Sequence, residues 1–422
     1  MSQSQSISSS MTLIRYGLFG ILGAFVGIPL YLHLPKLYAD LYQIDLGTIG
    51  IVLLSLRMLD MLVDPLIGYA SDRFALNQRR HLRWSAFAMG ISCNALWHIP
   101  SSLNQELIMV WFAFFTGLTY LFYSFTVINY YALGLRLGND YEQRTRISAY
   151  REGFVLIGIL LATILPTVLM SFYPNSTAFQ IYGLIFLLLI GIISWILPNI
   201  ESQPTDKLHQ SISIMSILSG NIRLIWLYGL FFLNALPVAI TSTLYLFFVE
   251  YVLDAKSLSG HFLIVYFLTA AIGAGLLTSL APKLNKYKTL IAALLLSVIG
   301  FSGAFVLTPE IAIYFYLVCI ITGFALGAEL VLFPAILADL LESHQNIESQ
   351  SFGIWQALNK LSLALAAGIV LPLLSLAGFK SGLPQSPDVI TAISGLYALF
   401  PLGLKCLVLG LLWISPIDSR KT

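Results

Sequence analysis

Charge is the scarcest property of this 422-residue chain. Asp, Glu, Lys and Arg together make up 10% of it, whereas soluble domains carry about 25%, so a water-soluble globule is excluded. The net charge of +2 offers no electrostatic footprint for a nucleic acid. Cysteine is nearly absent as well. Cys93, Cys319 and Cys406 are scattered through apolar runs, which gives neither a disulfide framework nor metal-ligand spacing and reads as small core residues. No Ser/His/Asp set, metal-binding spacing or Walker-type loop is present, so no catalytic residues, metal or cofactor are expected and the chain does not read as an enzyme. The strict polar–apolar alternation of a membrane β-barrel is missing too.

What the chain has instead is hydrophobic length: 58% hydrophobic residues and a mean hydropathy of +0.85. Runs of about 20 apolar residues, bounded by charged, Gly- or Pro-rich breaks, are membrane-spanning helices by the thickness of the bilayer. Spans are expected near 13–38, 46–70, 84–100, 107–134, 147–172 and 179–198, then near 222–250, 259–281, 288–307, 311–339, 350–377 and 391–415. The expected fold class is therefore an all-α polytopic membrane protein of 12 transmembrane helices in two six-helix bundles. The expected divisions are a disordered N-terminal tail (1–12), an N-terminal bundle (13–198), a central cytoplasmic loop (199–221), a C-terminal bundle (222–415) and a C-terminal tail (416–422). With both termini inside, sixteen lysines and arginines face the cytoplasm, and Lys36, Lys256 and Lys380 alone face outward. That asymmetry predicts a multi-pass protein of the cytoplasmic membrane with both termini cytoplasmic.

The most informative stretch runs from Arg57 to Arg73, RMLDMLVDPLIGYASDR. Arg57, Asp60 and Asp64 lie three and four residues apart and share one helix face. Each charge at bilayer depth costs about 2.5–3.5 kcal/mol on insertion scales, so this face must look into protein or a wet cavity. One arginine neutralises one of two carboxylates, and the remaining negative charge invites a cation. A structural ion pair locking two helices is the competing reading. Pro65 and Gly68, within a turn, match the broken helices found near transport sites. Glu329, alone in GFALGAELVLFPAIL, must likewise face a cavity or be neutralised; substrate contact, proton relay and pairing with Lys360 or Lys405 are all open. Glycines at 323 and 327 permit close helix approach.

Three stretches together resemble the glycoside–pentoside–hexuronide:cation symporters of the major facilitator superfamily, the melibiose permease-like family. They are DMLVDPLIGYASDR at 60–73, similar to the family's D-x-x-x-D-P-x-x-G-x-x-x-D-R, INYYALGLRLGNDYEQRTRISAYREG at 128–153, and SFGIWQALNKLSLALAAG at 351–368 with ILADLLE before it. The resemblance implies that Asp60, Asp64 and Ser124 bind the coupling cation, Na⁺ or H⁺, with Arg57 and Glu329 in charge-pairing roles. It also implies that Tyr131, Arg151, Gln356 and Lys360 contact substrate, and that Lys360 balances the acidic cluster. Where sugar-transporting relatives carry substrate-binding acids, this chain has Ala24 and Val127. Losing both points to a different substrate or to different groups holding it, and Tyr31, Tyr38, Tyr120, Tyr123 and Tyr130, with His33 and Lys36, are the polar candidates nearby.

The expected function is a monomeric, cation-coupled symporter of a sugar, glycoside or sugar acid, working by alternating access. Its partners would be a small-molecule solute, a monovalent cation and membrane lipid. A lysophospholipid, amphiphile or organic-anion transporter on the same fold is the alternative, and a non-transporting membrane receptor or enzyme is the rival of another class.

Overall fold

A computed structural model describes residues 10–73, 78–137, 141–197, 221–341 and 348–417. The two expected tails beyond these bounds, most of the expected central loop and parts of the links after residues 73 and 137 lie outside the described residues. Among the described residues all regular structure is helical, as a chain with so few polar groups requires. Only helices and closed barrels satisfy every backbone N–H and C=O without water.

By contact clustering the chain forms two units. The first comprises residues 1–44 and 55–206, the second residues 45–54 and 207–422. In the first unit α1 (Ser10–Gly17), α2 (Gly20–Leu32) and α3 (Leu34–Tyr42) occupy the first apolar run, followed by most of α4 (Leu46–Arg73), α5 (Gln78–Trp97), α6 (Gln105–Leu137), α7 (Tyr141–Phe172) and α8 (Asn175–Ile196). The second unit contains α9 (Ile222–Phe247), α10 (Ser259–Leu284), α11 (Lys286–Phe305), α12 (Phe315–Leu341), α13 (Glu348–Leu376), α14 (Pro387–Ser394) and α15 (Phe400–Ile414). A wider π-type turn, Phe248–Val252, extends α9, and another, Gly395–Leu399, joins α14 to α15.

Among the described residues eleven segments are long and apolar enough to cross a membrane. The twelfth expected span lies on α5, whose first turn and a half, QRRHLR, is too basic to qualify. This basic stretch, expected as a loop, is helical. Three further differences have local causes. The first span breaks into three pieces, with α2 ending at His33, whose N–H reaches the Pro29 carbonyl, and α3 restarting with Pro35 in its first turn, where a missing N–H costs nothing. In contrast, α4 runs unbroken through Pro65, so the helix break expected there does not occur. Residues 45–54 group with the second unit, so α4 belongs to both.

The first unit is tied by side chains that donate to backbone carbonyls of neighbouring helices. Tyr182 donates to the Phe25 carbonyl at 2.8 Å, Tyr38 to that of Leu96 at 3.0 Å, and Trp111 to that of Ala95 at 2.9 Å. Two hydroxyl pairs, Thr119 to Ser92 and Thr126 to Ser85, sit seven residues apart and stitch α5 to α6 over two turns.

Backbone proximity organises the second unit. A Cβ at Gly273 of α10 would strike the Phe324 carbonyl oxygen. At Gly323 it would strike that of Tyr266, and at Gly327 that of Ala270, with the Ala274 nitrogen 2.7 Å away. Helices α10 and α12 are therefore in backbone contact along a small-xxx-small face. Where residues 45–54 meet α13, a Cβ at Gly50 would lie 2.8 Å from the Ala367 carbonyl oxygen, and one at Gly368 2.6 Å from the Leu54 Cβ. Asp45 closes this seam, accepting from the Ser375 hydroxyl at 2.6 Å and from the Thr48 N–H at 2.8 Å.

Gly327→Ala is expected to destabilise the protein by about 1–3 kcal/mol through overpacking, read as a lowered Tm in detergent, while Gly275→Ala on α10, whose Cβ meets open space, leaves it unchanged. Equal Tm values for the two variants would contradict the backbone contact.

Candidate functional site

Among the described residues each unit buries a polar assembly. In the first unit, α4 presents Arg57 and Asp60 inward, 4% and 5% exposed, with Asp64 half-buried one turn further along. Asp60 Oδ1 accepts a hydrogen bond from the Ser124 hydroxyl of α6 at 2.7 Å, and Ser124 is itself buried. Two carboxylates and a hydroxyl from two helices supply hard oxygen ligands, the donor type that an alkali cation takes, and either carboxylate can accept a proton.

Arg57 is held differently from the expectation. Its guanidinium lies over the rings of Tyr120, at 3.8 Å from the centroid, and of Tyr31, at 4.8 Å. Both tyrosine hydroxyls and Asp60 also act on it electrostatically. The ring faces stabilise the cation without a bidentate carboxylate partner. Tyr123 stands within electrostatic reach of both Tyr31 and Tyr131, so a tyrosine tract leads from Arg57 toward a second arginine. There Arg151 of α7 lies 4.2 Å from the Tyr131 ring centroid and pairs at 2.9 Å with the exposed Glu152. Behind it Tyr16 and Tyr130 each donate to the other's backbone carbonyl at 3.1 Å, and Tyr16 lies within electrostatic reach of Arg151.

Ala24, at the position of one missing acid, is buried and lies against Gly158 of α7. Val127 is half-buried. His33 is packed against Phe179 at 5.0 Å, and Lys36 pairs with Asp40 at 2.7 Å, so both have structural surroundings.

The second unit places Gln356 in the open and Lys360 half-buried on α13. Its buried assembly lies elsewhere. Glu329 of α12 and Lys405 of α15, 3% and 1% exposed, pair at 2.6 Å. Asn234 of α9 donates to the same carboxylate oxygen at 2.9 Å and accepts from Lys405 at 2.9 Å, and Ser297 of α11 donates to the other oxygen at 2.8 Å. Of the roles open to Glu329, the geometry gives pairing with Lys405. The sequence reading named neither Tyr16, Asn234 nor Ser297. A lone polar residue in an apolar run was the available signal, and Asn234 in LFFLNALPVAI shows it most plainly.

A model of the MFS/sugar transport protein family matches residues 14–419, almost the full length. The chain belongs to that family. Curated relatives of the MFS/sugar transport protein family include the glucuronide carrier protein homolog of Escherichia coli (strain K12), 22% identical over 97% of this chain and 93% of the relative. The putative glycoside/cation symporter YagG of the same organism is 23% identical over 93% and 88%. The fold is that of solved transporters. A bacterial homolog of the human lysosomal transporter Spinster superposes with a TM-score of 0.69 at 13% identity, covering 98% of this chain and 97% of that one. The nucleoside transporter NupG superposes with a TM-score of 0.64 at 15% identity, covering 96% and 99%. The family resemblance to glycoside–pentoside–hexuronide:cation symporters therefore holds. This MFS/sugar transport protein is a multi-pass membrane transporter, not an enzyme or a receptor.

Breaking the buried pair with Glu329→Gln is expected to cost about 3–5 kcal/mol because Lys405 is left charged and buried, whereas the double variant Glu329→Gln with Lys405→Met recovers most of that loss. Thermal unfolding of the purified variants measures both. Equal damage from single and double variants would show that Glu329 does not hold Lys405.

Proposed function

We propose that this protein is a cation-coupled symporter that carries a sugar, glycoside or sugar acid across the cytoplasmic membrane by alternating access, with both termini in the cytoplasm. The observation that carries the coupling is the buried Asp60–Ser124 contact on the helix face that also bears Asp64. Asp60, Asp64 and Ser124 are the proposed ligands of Na⁺ or H⁺. The N-terminal and C-terminal six-helix bundles, 13–198 and 222–415, are the proposed moving halves, joined by the central loop. Tyr131 and Arg151 in the first unit and Gln356 and Lys360 in the second are the proposed substrate contacts. The cation and the solute must each favour the same conformational transition when both are bound, because coupling is a free energy shared between two sites.

Sugar recognition is supported by the relatives, whose names include a glucuronide carrier homolog and a glycoside/cation symporter. Within that class an acidic solute is favoured by a specific observation. The two acids of sugar-binding relatives are replaced by Ala24 and Val127, and two arginines of the first unit, Arg57 and Arg151, are cradled by tyrosine rings. Such an arrangement suits a carboxylate whose sugar ring stacks or hydrogen-bonds along tyrosine. Transport of another organic anion or an amphiphile is supported by the same two arginines.

The test is uptake of a panel of neutral and acidic sugars into vesicles under an imposed Na⁺ gradient and, separately, a pH gradient. One gradient should drive uptake by the wild type, Asp64→Asn should abolish that dependence, and Ser124→Ala should weaken cation activation about tenfold, the loss of one hydrogen bond or ligand to a charged centre. Ion dependence unchanged in Asp64→Asn would overturn the cation site, and uptake of none of the sugars would overturn the substrate class.

A further inference from the structure

The basic end of α5 lies outside the cation and substrate residues proposed above and has an unusual electrostatic setting. Arg79, Arg80 and Arg83 occupy little more than one turn, and neither α5 nor α8, the helix packed against it, contains an acidic residue. Arg83 Nε donates to the Ser194 carbonyl at 2.7 Å and an Arg79 Nη to the Trp195 carbonyl at 3.4 Å, so two guanidiniums converge on the last turn of α8. Those carbonyls carry the negative end of the helix dipole, which accounts for part of the attraction and for none of the remaining charge. Arg79 and Arg83, four residues apart, repel one another. Arg80 is exposed.

Two polar atoms here lack any partner: Arg79 Nε and the hydroxyl of Ser194, a residue 3% exposed. A cluster of like charges with an unanswered N–H and an unanswered hydroxyl is a site complementary to an anion that offers several oxygen acceptors. Immediately beside it Trp84 and Trp195 turn their indoles outward, 67% and 83% exposed. Exposed tryptophans mark the level where acyl chains meet headgroups, and the helix faces beyond them are apolar, with Leu188 and Ile91 open to the surroundings.

We propose that the ends of α5 and α8 form a binding site for the phosphate headgroup of an anionic phospholipid, its acyl chains lying against Trp84 and Trp195. Arg79, Arg80 and Ser194 bind the phosphate oxygens, and Arg83 holds the two helix ends together. A basic pocket between membrane helices at the cytoplasmic headgroup level has the charge that anionic lipids of that leaflet complement. A zwitterionic lipid fits less well, because its ammonium would stand among three guanidiniums.

Native mass spectrometry of the full chain, released from nanodiscs of phosphatidylcholine doped with phosphatidylglycerol, tests this. The wild type should retain phosphatidylglycerol in preference to phosphatidylcholine. Arg79→Gln with Arg80→Gln should bind it on the order of tenfold more weakly, and Arg79→Lys with Arg80→Lys should keep most of the binding. Lys256→Gln with Lys380→Gln, basic residues remote in sequence from this turn, should behave as wild type. Retention unchanged in the glutamine variant, or no preference for the anionic lipid, overturns the proposal. So does displacement of the lipid by inorganic phosphate, which would make the ligand a soluble anion. If the glutamine variant does not fold, a photoactivatable phosphatidylglycerol is cross-linked to the wild type. Labelled peptides from α5 and α8 sustain the site, and labels confined elsewhere overturn it.

Discussion

A charged side chain surrounded by hydrocarbon must be answered by the protein itself, and this chain answers its buried charges in two different ways. In the second unit Glu329 and Lys405 cancel one another, and Asn234 and Ser297 take up their remaining hydrogen-bonding capacity. Such a closed network has no charge to offer a ligand; it fixes four helices in register. The first unit places one guanidinium and two carboxylates on a single helix face, with the guanidinium embraced by tyrosine rings and one carboxylate bound by a serine hydroxyl. Under the proposed function a cation or a proton bound there changes the net charge of the cluster. The same cost of burial is thus met by a closed network in one unit and by a mixed aromatic and hydroxyl cradle in the other.

Much of this was legible in the sequence because the governing rules are periodic. Apolar run length placed the helices, and the three- and four-residue spacing of Arg57, Asp60 and Asp64 placed them on one face. The serine at position 124 followed from family resemblance, and the structure brings it to Asp60. What could not be read were choices among equals. Arg57 had an adjacent carboxylate and several tyrosines within reach, and sequence spacing favours the carboxylate; only the approach of α2 and α6 makes the rings of Tyr31 and Tyr120 its cradle. Glu329 had two lysines available, and which one it meets depends on the rotation of α12 and α15 about their axes. Pro65 argued for a break that the helix does not make. The first span does break at His33, between the two prolines at 29 and 35 that argue for a kink, and also near Gly17 and Gly20, where α7 presses close enough that a side chain at either glycine would meet Phe154 or Val155.

Glycine carries the mechanical side of the design. In water, helices are pressed together by the hydrophobic effect, but lipid tails are as apolar as leucine and supply no such force, so close association rests on dispersion and on polar contacts. The α10–α12 seam meets that requirement with backbone against backbone, and the seam of residues 45–54 on α13 repeats it with Gly50 and Gly368 and adds the Asp45–Ser375 hydrogen bond. Seams made of small residues have shallow relief. They permit one helix to shift against another without unlocking interdigitated side chains, a property that a transporter of this family needs and that a core of large residues would deny.

The tyrosine cradles also bear on which solute the first unit can recognise. A guanidinium paired to a carboxylate through both nitrogens has its planar edge occupied, and a substrate acid would have to displace that partner. A guanidinium lying over an aromatic ring is stabilised through its face, which leaves N–H groups at its edge for a second ligand. Arg151 combines both modes: Tyr131 covers its face, while Glu152, the acid beside it, is more than half exposed and solvated. An exposed ion pair is worth little, so exchange of Glu152 for a substrate carboxylate costs correspondingly little. In a relative that binds neutral sugars the opposite logic applies, since carboxylates accept hydrogen bonds from hydroxyls. The replacement of two such acids by Ala24 and Val127, together with arginines lying against tyrosine ring faces, supports the acidic solute proposed above.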